Sequence, residues 1–307
     1  DGRVIVQSSG RPIPDIPTVY VLGKPPEQNR PLVDLDPQRI GQLAAEHLVE
    51  EGFTDFAAMA PPDCDPRAYA YVRRLENLGH SCHIPPVPSP ADWGAWLAGL
   101  PAPVALFTGY DPAIQNIVMD CLEHGLRIPQ DVAILGADDL AFYSQHVHGG
   151  ISSVDSGIRR AGFEAGRLLD ELMRAKTVKG PVIVEPRGVV ARRSTEYEPP
   201  DDPVLKAALR YLRHTPPAEA SLQGLLEAVP ASRSSLFERF RQKLRRTPGE
   251  ELRRMRLRAV CGMLRETDEL LPDIAAACGF DYVSNMCHTF KAQFDTTPTE
   301  YRKEHRT

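Results

Sequence analysis

From the start of the chain to Val184, short apolar runs alternate with segments whose apolar residues recur at helical spacing, and beyond the joint that follows only the helical spacing remains. Residues 4–6 and 18–22 read as strands, and 37–50 as a helix with Ile40, Leu43, Ala44, His47 and Leu48 on one face. The pattern then repeats: strand 56–59, helix 66–78, a strand around Ile84, helix 90–100, strand 104–108, helix 112–124 and strand 132–135. Helices between successive strands leave those strands parallel, so an α/β architecture with a helix-covered parallel sheet is expected. A further helix over 157–174 and a late strand over 182–184 break the simple alternation, which two lobes sharing one chain would explain.

The run Glu198-Pro199-Pro200-Asp201-Asp202-Pro203 is polar, proline-rich and poor at helix or sheet, and it marks a joint. The expected domains are 1–196 and 205–307, with 197–204 as the linker. Charge divides at the same place. The chain has a formal net charge of −5, yet residues 205–307 hold 18 Lys and Arg against 13 Asp and Glu, so a tail of +5 follows a body of −10. A basic end on an acidic body fits nucleic-acid contact by that end alone.

At 307 residues, 42% hydrophobic and 25% charged, a fibrous, collagen-like or wholly disordered chain is excluded. The sequence shows neither a long unbroken apolar run nor a charged-then-apolar leader, so no membrane span and a cytoplasmic location are expected. Six cysteines without a C-x-x-C pair fit reduced, mostly buried thiols. The chain opens at Asp1 directly on a strand-like run, and an upstream piece is expected outside this sequence.

The basic end carries two helix-turn-helix patterns. Residues 222–229 form a short helix, Pro230 and Ala231 turn the chain, and Ser232 is an N-cap candidate for the next helix. There Leu236, Phe240 and Leu244 form the inward stripe. Arg233 opens the helix, and Ser234, Phe237, Glu238 and Arg241 face outward as candidate DNA contacts. Arg241 suits guanine or phosphate; Glu238 suits cytosine N4, or an ion pair with Arg241 within the helix. In the second copy residues 274–278 are helical, Gly279 turns, and 281–294 follow. Met286 and Phe290 point inward, leaving Val283, Ser284, Asn285, His288 and Lys291 as candidate contacts. Asn285 suits adenine and Val283 a thymine methyl. The run Arg241, Lys243, Arg245, Arg246, Arg253, Arg254, Arg256, Arg258 is expected to be partly solvated surface and partly phosphate contact.

Other chemistries lack a site. His146-x-His148 with His124, and His80-x-Cys82-His83, offer no fourth metal ligand. Neither a phosphate loop nor a G-x-S-x-G elbow occurs. The pairs Asp138-Asp139 and Asp201-Asp202 are adjacent and point apart, a poor acid/base dyad. No catalyst, metal or cofactor is expected.

Several motifs carry a family resemblance. Val33-Asp34-Leu35-Asp36 with Gly41, then Gly52-Phe53, Arg67-x-x-x-Tyr71, Tyr110-Asp111-Pro112-Ala113, residues 132–139 and Ile151-Ser152-Ser153-Val154-Asp155 together resemble the effector domain of LacI-type regulators. That resemblance implies the two-lobed fold of periplasmic sugar-binding proteins, here incomplete at its N-terminus, with the ligand in the cleft at the strands' carboxyl ends. Ala275-x-x-Cys278-Gly279-Phe280, with Phe290-Lys291, Pro298 and Tyr301-Arg302, resembles AraC-type DNA-binding domains, which are all-α and carry two helix-turn-helix units joined by a helix. The two in this order resemble the xylose operon regulators, as do Val189-x-x-Arg192-Arg193-Ser194-Thr195 and Ser232-Arg233-Ser234.

The resemblance implies a sugar-responsive DNA-binding regulator, a homodimer and, as an activator, a partner of RNA polymerase, with xylose as one candidate effector. It also places a sugar-contacting arginine at Arg67. Asp138, at a strand end, has the carboxylate that a sugar's hydroxyls need, and Tyr110 offers a ring and a hydroxyl. Asp111 is either a fourth contact or the N-cap of the helix after it, which Pro112 favours. The group commonly has Asn-Asp where this chain has Tyr110-Asp111. The other function class is a small-molecule-binding protein or sugar-acting enzyme whose tail docks a partner.

Overall fold

The computed structural model describes residues 3–6, 16–23, 31–61, 63–86, 90–144, 150–174, 180–199 and 201–305. The chain divides into two compact units, Asp1–Tyr197 and Glu198–Thr307. In the first, a four-stranded sheet runs in the order β1 (Arg3–Val6), β2 (Thr18–Val21), β3 (Leu32–Leu35), β9 (Val182–Val184), all parallel. A second sheet has six strands in the order β10 (Gly188–Val190), β8 (Ser152–Asp155), β7 (Val132–Ala137), β6 (Val104–Phe107), β4 (Asp55–Ala58), β5 (Cys82–His83). Only β10 is antiparallel there, returning along β8.

Strands covered on both faces read as continuous apolar runs. In β6, Val104 and Leu106 enter one core and Ala105 and Phe107 the other, the period of two that a pleated strand imposes. One core joins Val19, Val33 and Leu35 of the small sheet to Phe56, Phe107 and Leu135 of the large one through α1 (Pro37–Glu51) and α6 (Ile158–Met173). The other packs Leu106 and Ile134 against α3 (Trp93–Ala98) and α4 (Ile114–Glu123), and the short α5 (Ala141–Ser144) comes after β7 in the chain. α3 is shorter than the expected 90–100 because Asp92 caps it, accepting from the Ala95 N–H at 2.9 Å. The helix expected over 112–124 opens instead as a 3-10 turn, Asp111–Ala113, before α4 begins.

α1 crosses α2 (Pro66–Asn77) at Gly41, where a Cβ would strike the Arg67 carbonyl oxygen and the Tyr71 nitrogen. Only glycine permits that approach, and it sets the first turn of α2, from which Arg67 projects.

In the second unit, α7 (Pro203–His214) packs on α8 (Leu222–Ala228) and α9 (Arg233–Leu244). The long α10 (Pro248–Glu266) leads to α11 (Leu271–Ala277), α12 (Val283–Phe294) and α13 (Pro298–His305). Much of the expected linker 197–204 is committed structure. Tyr197 packs edge-on against Phe53, Glu198 pairs with Lys206, and Asp202 caps α7 while binding Arg239 of α9 at 2.8 Å. Burial works against the Asp202 charge, yet the Leu205 N–H and Arg239 outweigh it and hold its carboxyl below the usual range. No helix among the described residues is long and apolar enough to cross a membrane.

Gly41→Ala should lower the stability of the first unit by about 1–3 kcal/mol, the usual range for overpacking. Urea unfolding would read it; an unchanged midpoint would mean that α2 moves aside without penalty.

Candidate functional site

β7 is buried along its whole length and ends in two residues with left-handed backbones, Asp138 (φ 99) and Asp139 (φ 48). Arg67 reaches Asp138 with both terminal nitrogens, at 3.2 Å to Oδ1 and 3.3 Å to Oδ2, and also donates to the Gly109 carbonyl at 2.8 Å. Ser156 donates its hydroxyl to Asp138 Oδ1 at 2.6 Å. The Asp138 N–H donates to the Val154 carbonyl, which holds the turn against the end of β8. Asp65, the N-cap of α2, accepts from the Arg67 N–H and fixes where the arginine leaves the helix. Arg67 and Asp138 are thus together, largely buried and charge-matched. Tyr110, next to Gly109, is 48% exposed.

Asp111 is placed differently from either expectation. It is fully buried, and it does not cap the helix after it. Its carboxylate accepts from the Leu140 N–H at 2.9 Å and from the Ser153 hydroxyl at 3.1 Å, beneath the 138–139 turn. The 3-10 turn aims the side chain under β7, where Gly136 leaves room: a Cβ there would strike Asp111 Oδ1. Asp139, the next residue of the turn, binds Arg192 at 2.7 Å. Arg192 begins a pinned segment. Ser194 donates to the Ile134 carbonyl and Thr195 meets Ser152 at 2.7 Å and His47 at 3.0 Å, all buried. Ser156 and Gly109 carry no sequence signal for their roles, and Arg192 stood out only as part of a family-like run.

Among the described residues, no group of three or more His, Cys, Asp or Glu is placed to hold a metal ion. His146 and His148 lie outside the described residues.

In the second unit, α9 and α12 are equivalent helices 50 residues apart, from Arg233 to Val283. Each buries one stripe, Leu236 and Phe240 in α9, Met286 and Phe290 in α12. Each ends on a left-handed residue, Arg245 or Asp295, and is followed by a Thr-Pro helix start in which Glu250 or Glu300 reaches back to Thr247 or Thr297. Arg233, Ser234, Glu238 and Arg241 are exposed; Phe237 is half-buried, with the Arg233 guanidinium 5.3 Å from its ring centre. Glu238 accepts from Gln242 at 3.0 Å, one turn on. Ser284, Asn285, His288 and Lys291 are exposed, whereas Val283 is half-buried against the α10–α12 core. Asn285 and His288 line a groove of about 510 Å³ with Arg253 and Arg256. The basic run is divided: Arg246 binds Glu251 and Arg256 donates to the Ala220 carbonyl, while Arg241, Lys243, Arg245 and Arg253 are exposed.

Burial pushes the Asp111 carboxyl up to about 7; Asp138 and Asp139 add to the rise, and the Leu140 N–H and Ser153 oppose it. An unfolded aspartate titrates at about 4, so the protonated form stabilises the fold below that pH, and the contribution is lost as pH rises through 7. The Tm difference between Asp111→Asn and the parent should therefore be near zero at pH 4 and grow in favour of the variant up to pH 8. A difference that is the same at every pH would show that Asp111 does not titrate in this range.

Comparison with known proteins fits both units. A periplasmic binding protein-like domain matches residues 45–195, and a helix-turn-helix domain matches residues 225–304. The xylose operon regulatory protein of Haemophilus influenzae is 24% identical, over 94% of this chain and 79% of its own length. That of Escherichia coli K12 is 27% identical, over 83% of this chain and 69% of its own. A solved xylose-binding transcription activator shares the fold with a TM-score of 0.52, at 24% identity, over 95% of this chain and 82% of that one. Both of these relatives are named as regulatory proteins. The chain is therefore a xylose-operon-regulator-like transcription regulator, a periplasmic-binding-protein-like domain followed by an AraC-type helix-turn-helix domain.

Proposed function

We propose that the chain activates a pentose-utilisation operon in response to its sugar, acting in the cytoplasm as a homodimer that engages RNA polymerase, and that it works by binding and not by catalysis. Residues 1–196 sense, 205–307 bind DNA, and 197–204 join them. The observation that carries the sensing role is the Arg67–Asp138 pair at the carboxyl end of β7. A sugar's adjacent hydroxyls both donate and accept. A carboxylate beside a guanidinium meets both demands without leaving a buried charge unpaired, and the exposed Tyr110 ring offers an apolar face. Asp111 supports the turn from below. The pentose is inferred from the relatives, which are named for xylose.

Coupling runs through neighbouring residues of one turn. A ligand that draws on Asp138 shifts Asp139, which holds Arg192, and Arg192 begins the pinned segment that continues toward Glu198. Two backbone states of that turn, unequal in sugar affinity, suffice for a response at the DNA end. There Arg233, Ser234, Phe237, Glu238 and Arg241 of α9, and Val283, Ser284, Asn285, His288 and Lys291 of α12, form the contact faces. Val283 acts mainly as support, since its side chain packs inward.

The test is a thermal-shift series against pentoses and hexoses, paired with DNA binding at several salt concentrations. A shift with one pentose and a steep salt dependence are expected; a flat salt response without sequence preference would overturn the DNA role. Asp138→Ala should abolish the sugar shift and leave DNA affinity within about twofold. Arg192→Ala should keep both bindings and lose the sugar's effect on DNA affinity. Arg241→Ala should reduce the salt slope by about one.

A further inference from the structure

Helix α6 turns two glycines, a phenylalanine and two opposite charges outward. Ala161, Ala165 and Leu168 are buried on the small sheet, while Arg159, Gly162, Phe163, Gly166, Asp170 and Met173 share the opposite face. Phe163 is 73% exposed. Glycine is the poorest helix former after proline. At both 162 and 166 nothing in the described chain lies within 4 Å of where a Cβ would stand. Contacts within the described residues therefore explain neither glycine.

The spacing along this face complements itself. Let a second copy of α6 lie antiparallel across a twofold axis beside positions 164 and 165. Phe163 then faces Gly166 of the second copy, Gly162 faces Arg167, and Arg159 faces Asp170, each contact occurring twice as a twofold interface requires. The ring enters a notch that a side chain at 166 would fill, and both ends are closed by opposite charges. A parallel arrangement would instead set Arg159 against Arg159. Asp170 shares an exposed pair with Arg174 at 3.1 Å, a weak contact that leaves its carboxylate able to accept a second cation.

We infer that α6 is a self-association surface whose occupant is α6 of a second copy. The inference rests on the homodimer proposed above and assigns it a face. One helix pair covers less than the roughly 800 Å² per partner of a standard interface, so α6 supplies part of the dimer's strength.

Sedimentation equilibrium of the 307-residue chain tests this, with each variant's melting curve checked against the parent. Phe163→Glu should raise the dimer dissociation constant about tenfold or more. Arg159→Asp and Asp170→Arg should each weaken the dimer, and the two together should restore it to within about threefold of the parent, because the swap re-forms the pair only between copies. A parent-strength dimer in Phe163→Glu, or a double swap no better than its parts, would overturn α6 as the interface while leaving a homodimer on another face. A parent chain monomeric at every concentration would overturn both.

Discussion

The first unit depends on a turn that its own backbone resists. Non-glycine residues in the left-handed region cost roughly 1–3 kcal/mol each where they are strained, and Asp138 and Asp139 stand there consecutively after a strand that is buried along its whole length. The turn persists because it is over-determined: Arg67 and Ser156 hold one carboxylate, Arg192 holds the other, and Ser153 and the carbonyl of Val154 take the two N–H groups. Its anchors come from α2, from β8 and from the segment after β10. A change in any one of them is therefore felt at the turn, which suits a ligand site that must report its occupancy elsewhere.

This arrangement was partly legible in the residues. Strands covered on both faces announce themselves as unbroken apolar runs; Arg67 was marked by the family resemblance and Asp138 by its carboxylate at a strand end, but that the two bind each other, 71 residues apart, only the fold shows. The role of Asp111 was not legible. Pro112 favours a helix start at that position, and only the fold shows a 3-10 turn that aims the carboxylate beneath β7 into the space left by Gly136. Arg192 was equally hidden, because its partner lies 53 residues away and nothing local marks the pairing. In the second unit the inward stripes at Leu236, Phe240, Met286 and Phe290 follow from periodicity alone. Periodicity does not show that Glu238 prefers Gln242 to Arg241, or that Val283 leans on the core, since both depend on rotamers and on neighbouring helices.

The two helix-turn-helix units share one plan with unlike chemistry. The repeat holds at the buried stripe, the left-handed helix end and the threonine–glutamate start of the next helix. It fails in part on the outer face: the exposed Arg233 of α9 is matched in α12 by the half-buried Val283 and Glu238 by His288, while Arg241 and Lys291 keep an exposed cation at the same place. Phosphate affinity scales with the cations brought to the backbone, so on the proposed contact faces α9, with Lys243 and Arg245 exposed beside Arg233 and Arg241, would supply more of the sequence-independent binding than α12. On that reading the α12 face carries Lys291 and would add the amide of Asn285, which suits adenine. The two outer faces are held relative to each other by α10, which packs against α8 and α9 of the first helix-turn-helix and against α11 and α13 of the second.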